Sequence, residues 1–226
     1  MKKAIISFLY IALFSMATAP AWAAAEIKTD KQKLSYALGA YFSQGIVQQN
    51  VDMDIPAFLQ AIEDVLNKSD LKLNEQEIQT VLMQYQEKLN NERNTAADTN
   101  KAVSEKFLAE NKTKEGVTTL PNGIQYKVIK EGSGPKPKSD SEVQVHYHGT
   151  HINGEVFDSS YERGEPITLT LTQVIKGWQE AVPLMSVGSK YQFYIPAELA
   201  YGDRGAGTSI GPNEALIFDI ELLGIN

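Results

Sequence analysis

Five aromatic residues in the C-terminal half, Tyr147, Phe157, Trp178, Tyr201 and Phe218, each sit in a distinctive local string. The strings are Val145-His146-Tyr147-His148-Gly149, Val156-Phe157-Asp158-Ser159-Ser160, Val174-Ile175-Lys176-Gly177-Trp178, Ala200-Tyr201-Gly202 and Leu216-Ile217-Phe218-Asp219-Ile220-Glu221-Leu222. The chain has no cysteine, no arrangement suggesting a catalytic triad and no Gly-rich phosphate loop. An aromatic basin without an activated nucleophile suits a reaction that breaks no covalent bond. Any one buried aromatic is ordinarily core, and Asp158 before two serines could be a turn former, so the argument rests on the strings jointly.

The other chemically suggestive cluster is His146, His148 and His151, the only histidines of the chain. Side chains two apart on a strand share a face about 6.6 Å apart, and a turn could bring His151 back towards them. No Cys or second carboxylate completes a metal set nearby in sequence. They read as incidental surface histidines, and no metal and no cofactor is expected.

The elements that must position these residues fall into two textures, which meet near residue 113. From Thr29 to Lys112 there are two Gly and one Pro, with apolar residues at helical spacing. Thr29-Asp30 can cap a helix carrying Leu34, Ala37, Leu38, Tyr41, Phe42 and Ile46, and Asp54 can cap a second carrying Phe58, Ala61, Ile62, Val65 and Leu66. Asn74 followed by Glu77 is a capping-box signal for a third, with Ile78, Val81, Leu82, Tyr85 and Leu89 as its stripe. Asn90 to Ala102 is polar on every face but contains no breaker, which predicts that the helix continues as a long connector; a flexible linker is the alternative. Apolar stripes on so small a core predict pairing with a second copy, against a compact monomeric bundle.

From Thr113 onward the pattern turns to period two. Val143, Val145 and Tyr147 alternate with Gln144, His146 and His148; Ile167, Leu169 and Leu171 alternate with Thr168 and Thr170; Leu216, Phe218, Ile220 and Leu222 form a third series. These predict antiparallel strands with one buried face. The run Lys176 to Leu184 is the single helical stretch, and Pro183 must end it.

Residues 1–23 have the form of an export signal: Lys2 and Lys3, an apolar run from Ala4 to Phe14, and the small-x-small site Ala21-Trp22-Ala23. The expected boundaries are therefore 1–23 signal peptide, 24–112 helical module and 113–226 β-rich module. The expected location is a bacterial periplasm, with surface association open and no integral membrane association. The formal charge is −7, and removing Lys2 and Lys3 leaves 28 acids against 19 bases. Neither half is basic, so nucleic acid is a poor partner.

In this order the aromatic strings resemble the FK506-binding-protein (FKBP) class of peptidyl-prolyl cis-trans isomerases. Ser35-Tyr36-Ala37-Leu38-Gly39 and Phe107-Leu108-Ala109-Glu110-Asn111 resemble the exported bacterial subfamily of macrophage-infectivity-potentiator and FkpA type. The resemblance implies a two-domain protein. An all-α dimerisation module with a long connecting helix would precede an α+β FKBP-like antiparallel sheet wrapped on one short helix. It implies Trp178 as the floor of a proline pocket, Tyr147, Phe157 and Phe218 as its walls, and Val174 and Ile175 at the rim. The Ile175 N–H and the Tyr201 hydroxyl would donate to substrate carbonyls, and Asp158 would be the pocket-edge acid with Arg163 as its partner. Two positions depart from the pattern: Ile167 stands where many members carry an aromatic, and the Gly-rich loop 205–210 lacks a His found in some members. Contacts of that loop are carried over only to Ile210.

The resemblance further implies proline-containing unfolded or extended polypeptides as substrates, FK506- or rapamycin-like macrolides as inhibitors, and a homodimer. The expected activity assists folding of exported proteins by a non-covalent twist of X–Pro bonds. The rival reading is a holding chaperone or peptide-binding module in which turnover is incidental.

Overall fold

The computed structural model describes residues 26–48 and 51–226. The export-signal expectation for residues 1–23 lies outside the described residues. Two compact units are formed, one ending at Met53 and the other running Asp54–Asn226. Among the described residues no helix is long and apolar enough to cross a membrane.

In the first unit α1 spans Asp30–Gln48. Its start is fixed by reciprocal bonds: Gln32 N–H donates to Thr29 Oγ1 (3.2 Å) and Thr29 N–H donates to Gln32 Oε1 (2.9 Å). No residue of α1 is buried.

The second unit opens with α2, Ile55–Asn67, whose first turn is capped by Asp54 accepting from Ala57 N–H at 2.9 Å. Lys68 ends it in the left-handed conformation at φ 56°. Helix α3 runs unbroken over 37 residues, Glu75–Asn111, from a complete Asn74–Glu77 capping box.

The polar stretch of α3 is continuous helix because its polar groups are used. Arg93 donates to the Asp203 carbonyl (3.0 Å), Asn100 to the Pro212 carbonyl (2.9 Å) and Ser104 to the Asn213 carbonyl (3.1 Å). In return Asn213 Nδ2 donates to the Ala97 carbonyl at 3.3 Å and Ala215 N–H to Ser104 Oγ at 2.8 Å. Further on, fully buried Asn111 donates to Gln125 Oε1 at 2.9 Å, and Gln125 donates to the Leu108 carbonyl at 2.8 Å. Gly211 permits this approach, since a Cβ there would lie 2.7 Å from Asn100 Nδ2. The half of the helix with no apolar stripe is thus seated on the sheet domain by side-chain-to-carbonyl bonds, which satisfy groups that burial would otherwise penalise.

Seven antiparallel strands follow: β1 Val117–Thr119, β2 Gln125–Lys130, β3 Glu142–Thr150, β4 Val156–Ser159, β5 Ile167–Thr170, β6 Lys190–Ile195 and β7 Leu216–Ile225. Their order is β1-β2-β6-β7-β3-β4, with β5 pairing the first half of β3 and β4 its second half. Alternate residues of β3 and β7 are buried, as period two requires. Helix α4 is Lys176–Ala181, followed by a 3₁₀ turn at Val182–Leu184 that contains Pro183. It lies close on the sheet because residue 177 is Gly: a Cβ there would be 2.4 Å from Ile195 Cγ2. Phe193, Ile195, Leu216, Ile220 and Leu222 are fully buried and form the core with Val143 and Val145.

Candidate functional site

Trp178 enters the site from α4, Tyr147 from β3, Phe157 and Asp158 from β4, and Phe218 from β7. These residues line one open pocket of about 330 Å³, with Val174, Ile175, Ile167 and Tyr201 completing its rim. Leu169, which the alternation marks only as a strand residue of the buried face, and Gln173 also line it.

The rings meet edge to face, the arrangement their quadrupoles favour. Tyr147 meets Trp178 at 5.5 Å and 81°, Trp178 meets Phe218 at 5.4 Å and 87°, and Phe218 meets Phe157 at 5.5 Å and 83°. Trp178 is 4% exposed, so it is a floor rather than a flap, and its indole N–H is buried without a partner among the described residues. Gly149 sits between the two outer rings in register, paired with Phe218 on one side and Asp158 on the other. A Cβ there would stand 2.6 Å from the Phe157 ring and 3.1 Å from Phe218. The signal for Gly149 was available, because an isolated Gly inside a strand marks a close approach.

Asp158 accepts hydrogen bonds from the Tyr147 phenol and from Arg163, and Arg163 Nη2 donates to the Tyr147 oxygen at 2.7 Å. The guanidinium also lies 5.4 Å from the Tyr147 ring centre. Burial raises the Asp158 carboxyl, but the bonds from Tyr147 and Arg163 and the Arg163 charge outweigh it, leaving the group below its ordinary value. Tyr147 is pushed up, first by burial and then by its bond to Asp158. Arg163 is held above its ordinary value by its bonds to Tyr147 and Asp158. The carboxylate is therefore ionised, neutralised and occupied, and it is poorly suited to take a proton.

Tyr201 is 39% exposed; burial raises its phenol, and the Asp158 charge adds to the effect. Among the described residues the Tyr201 hydroxyl makes no hydrogen bond, and no acceptor meets the Ile175 N–H. Both donors are available to a bound carbonyl. Ile210 does not line the pocket: it is buried, and its backbone closes a small bridge with Ala206 through bonds of 2.9 and 3.1 Å. Arg163 stands behind the acid rather than on the lining.

The three histidines are not loose surface groups. Each is partly buried and has its own partner: His146 with Ser160 (2.9 Å), His148 with Ser159 (3.1 Å) and His151 with Glu214 (2.9 Å). His146 stacks on Tyr161 at 4.4 Å, whereas His151 meets the Phe157 ring at 5.3 Å. Among the described residues no group of three or more His, Asp or Glu is placed to hold a metal ion. Sequence spacing could not reveal the His151–Glu214 pair, whose members are 63 positions apart.

An antiparallel sheet folded over one short helix, with an aromatic pocket between them, defines the class of this domain. Residues 134–223 match the family described as FKBP-type peptidyl-prolyl cis-trans isomerase, and residues 31–128 match the domain amino terminal to it. The chain is 39% identical to the outer membrane protein MIP of Legionella longbeachae, over 100% of this chain and 98% of that protein. It is 41% identical to the peptidyl-prolyl cis-trans isomerase Mip of Coxiella burnetii, over 100% and 99%. The crystal structure of FkpA from Escherichia coli superposes with a TM-score of 0.62 at 34% identity, covering 88% of this chain and 98% of that one. The chain belongs to the FKBP-type peptidyl-prolyl cis-trans isomerases.

Proposed function

We propose that the pocket over Trp178 binds a prolyl ring and speeds rotation of the preceding X–Pro bond. The observation that carries this is the ring set Tyr147, Trp178, Phe218 and Phe157 around one small pocket whose only carboxylate is already neutralised. Rotation about an amide must overcome about 18–20 kcal/mol because resonance is lost in the twisted state. The planar amide is more charge-separated than the twisted one, so an apolar enclosure favours the twisted form relative to water. The rings hold the proline while the preceding carbonyl turns, and the Ile175 N–H and Tyr201 hydroxyl anchor carbonyls on either side. Each 1.4 kcal/mol gained at the twisted state is about tenfold in rate, so shape, desolvation and two hydrogen bonds are of useful size. Asp158 and Arg163 keep Tyr147 and the rim in place. A prolyl-peptide isomerisation assay on the purified protein tests this; a rate no faster than the uncatalysed one refutes it.

Residues 113–226 are the isomerase unit in this reading, and residues 24–112 supply association. The exposed apolar residues of α1 support a homodimer, and they also suit holding of unfolded chains. Substrates are proline-containing unfolded or extended polypeptides, and FK506-like macrolides would compete for the ring pocket. Residues 1–23 support export to a periplasm, with association to the cell surface a further proposal from the name of the Legionella relative.

A further inference from the structure

Beside the aromatic pocket lies a second cleft of about 570 Å³, which has Phe157 as a wall in common with it. Its far wall is α3, through Asn100, Val103 and Ser104, and its floor is the Glu214–Ala215 segment. Its outer lip is the 151–155 turn, closed by His151 N–H to the Glu155 carbonyl (2.9 Å) and Gly154 N–H to the His151 carbonyl (3.0 Å). The α3, floor and lip walls are tied together, since Ser104 holds both Asn213 and Ala215 and His151 is bonded to Glu214 while its ring rests on Phe157; exposed Thr208 and Ser209 complete the lining. The lining contains the carboxylates of Glu155 and Glu214 and no Lys or Arg. Nothing in the isomerisation mechanism uses this space.

We propose that this cleft is a substrate subsite, which takes a basic side chain of the same extended polypeptide whose proline occupies the aromatic pocket. The proposal rests on the isomerase reading above. An extended chain advances about 3.3–3.6 Å per residue, so a chain leaving the ring pocket crosses the edge of Phe157 and reaches the cleft within roughly two to five residues. Glu155 faces no Lys or Arg in the lining, and Glu214 is engaged there only by His151 through Oε2, so the cleft selects Lys or Arg over Glu or Asp. The tied walls on the α3, floor and lip sides keep their share of the ordering cost of binding small. Because one wall is α3, the long helix takes part in substrate selection as well as in connecting modules.

The test is equilibrium binding of single-proline decapeptides to the full protein, with Lys or Glu placed in turn two to five residues on either side of the proline. At the best position the Lys peptide binds about tenfold tighter than the Glu peptide. Glu155→Lys abolishes or reverses that ratio, and Val103→Trp, which fills the cleft from an exposed helix position, weakens the Lys peptide about tenfold. Equal binding of Lys and Glu peptides at every position overturns the proposal, as does an unchanged Lys preference in Glu155→Lys or unchanged binding in Val103→Trp. Turnover of a prolyl tetrapeptide, too short to span the cleft, reports separately on the isomerase reading.

Discussion

Helix α1 and the sheet domain both carry large apolar side chains at regular spacing, yet they dispose of them in opposite ways. Phe193, Leu216 and Ile220 are 0% exposed, while Leu34, Leu38 and Tyr41, on one face of α1, are 62%, 61% and 80% exposed. The strands fold over α4 within one chain, so their buried face is complete without a second copy. A 19-residue helix has no such recourse, and its stripe is complete only when another surface covers it. The same residue type therefore serves folding in the sheet domain, and in α1 it is left exposed, which is what the proposed homodimer would use.

The largest expected effect follows from breaking the helical side of that contrast. Placing Asp at 34, 38 and 41 together removes about 1.5–3 kcal/mol of apolar burial per residue from an interface and adds charge to it. Sedimentation should show the dimer weakened at least about a thousandfold, with prolyl tetrapeptide turnover within twofold of the parent. A parent protein that sediments as a monomer at all concentrations would show that α1 is covered in some other way. The sheet side breaks differently. Phe193→Ala should lower unfolding free energy by about 3–5 kcal/mol in a denaturant titration, whatever the oligomeric state.

The pocket sharpens the comparison, because its aromatics are neither sealed core nor exposed stripe. Phe157→Ala opens one wall to water and should lower kcat/KM on prolyl peptides about 10- to 100-fold, equivalent to about 1.4–2.8 kcal/mol at the twisted state. Gly149→Ala pushes a methyl into the space of the Phe157 ring and should reduce activity by about tenfold with the ring still present. Activity at the parent's level in both variants would mean that ring placement in this wall does not matter. His146→Gln with His148→Gln should leave turnover unchanged, since those side chains bond to Ser160 and Ser159.

How much of this was legible depends on the kind of force involved. Caps at Asp54 and Asn74 are local, so three or four adjacent residues announced them. The alternation in β3 and β7 reflects one-sided burial and reads directly from residue type. The pocket strings were legible jointly because each couples an aromatic to its strand or turn. The seating of α3 was not, because bonds from Asn100, Ser104 and Asn111 to distant groups leave no period in the sequence. Polarity on every face suggested a solvated connector, whereas one of those faces meets carbonyls of the 203–213 segment. His151 escaped for a related reason: its partner Glu214 is distant in sequence, and an imidazole packed on a ring looks like any strand-end histidine.

The smallest expected effect concerns Asp158, and it separates positioning from proton transfer. Its carboxyl titrates below its ordinary value of 3.8 because Tyr147 and Arg163 outweigh the opposing effect of burial. A carboxyl depressed on folding contributes stability that is complete above its unfolded value and is lost as the pH falls through the folded one. The contribution is therefore constant from pH 6 to 8 and fades only below about pH 4. With the pair 44% exposed on both sides, solvent screening keeps it small. Tyr147 is shifted the other way, so its phenol stays protonated at least to its ordinary value of 10. Neither group changes charge in the neutral range, and kcat/KM should be flat from pH 6 to 8. Asp158→Asn keeps the shape but loses the charge that holds Arg163, and should lower kcat/KM by about three- to tenfold while leaving the profile flat. Its unfolding midpoint should also become less sensitive to pH below 4 than that of the parent. A bell-shaped rate profile in the parent that flattens in Asp158→Asn would instead make this carboxylate a proton carrier, and the aromatic wall its accessory.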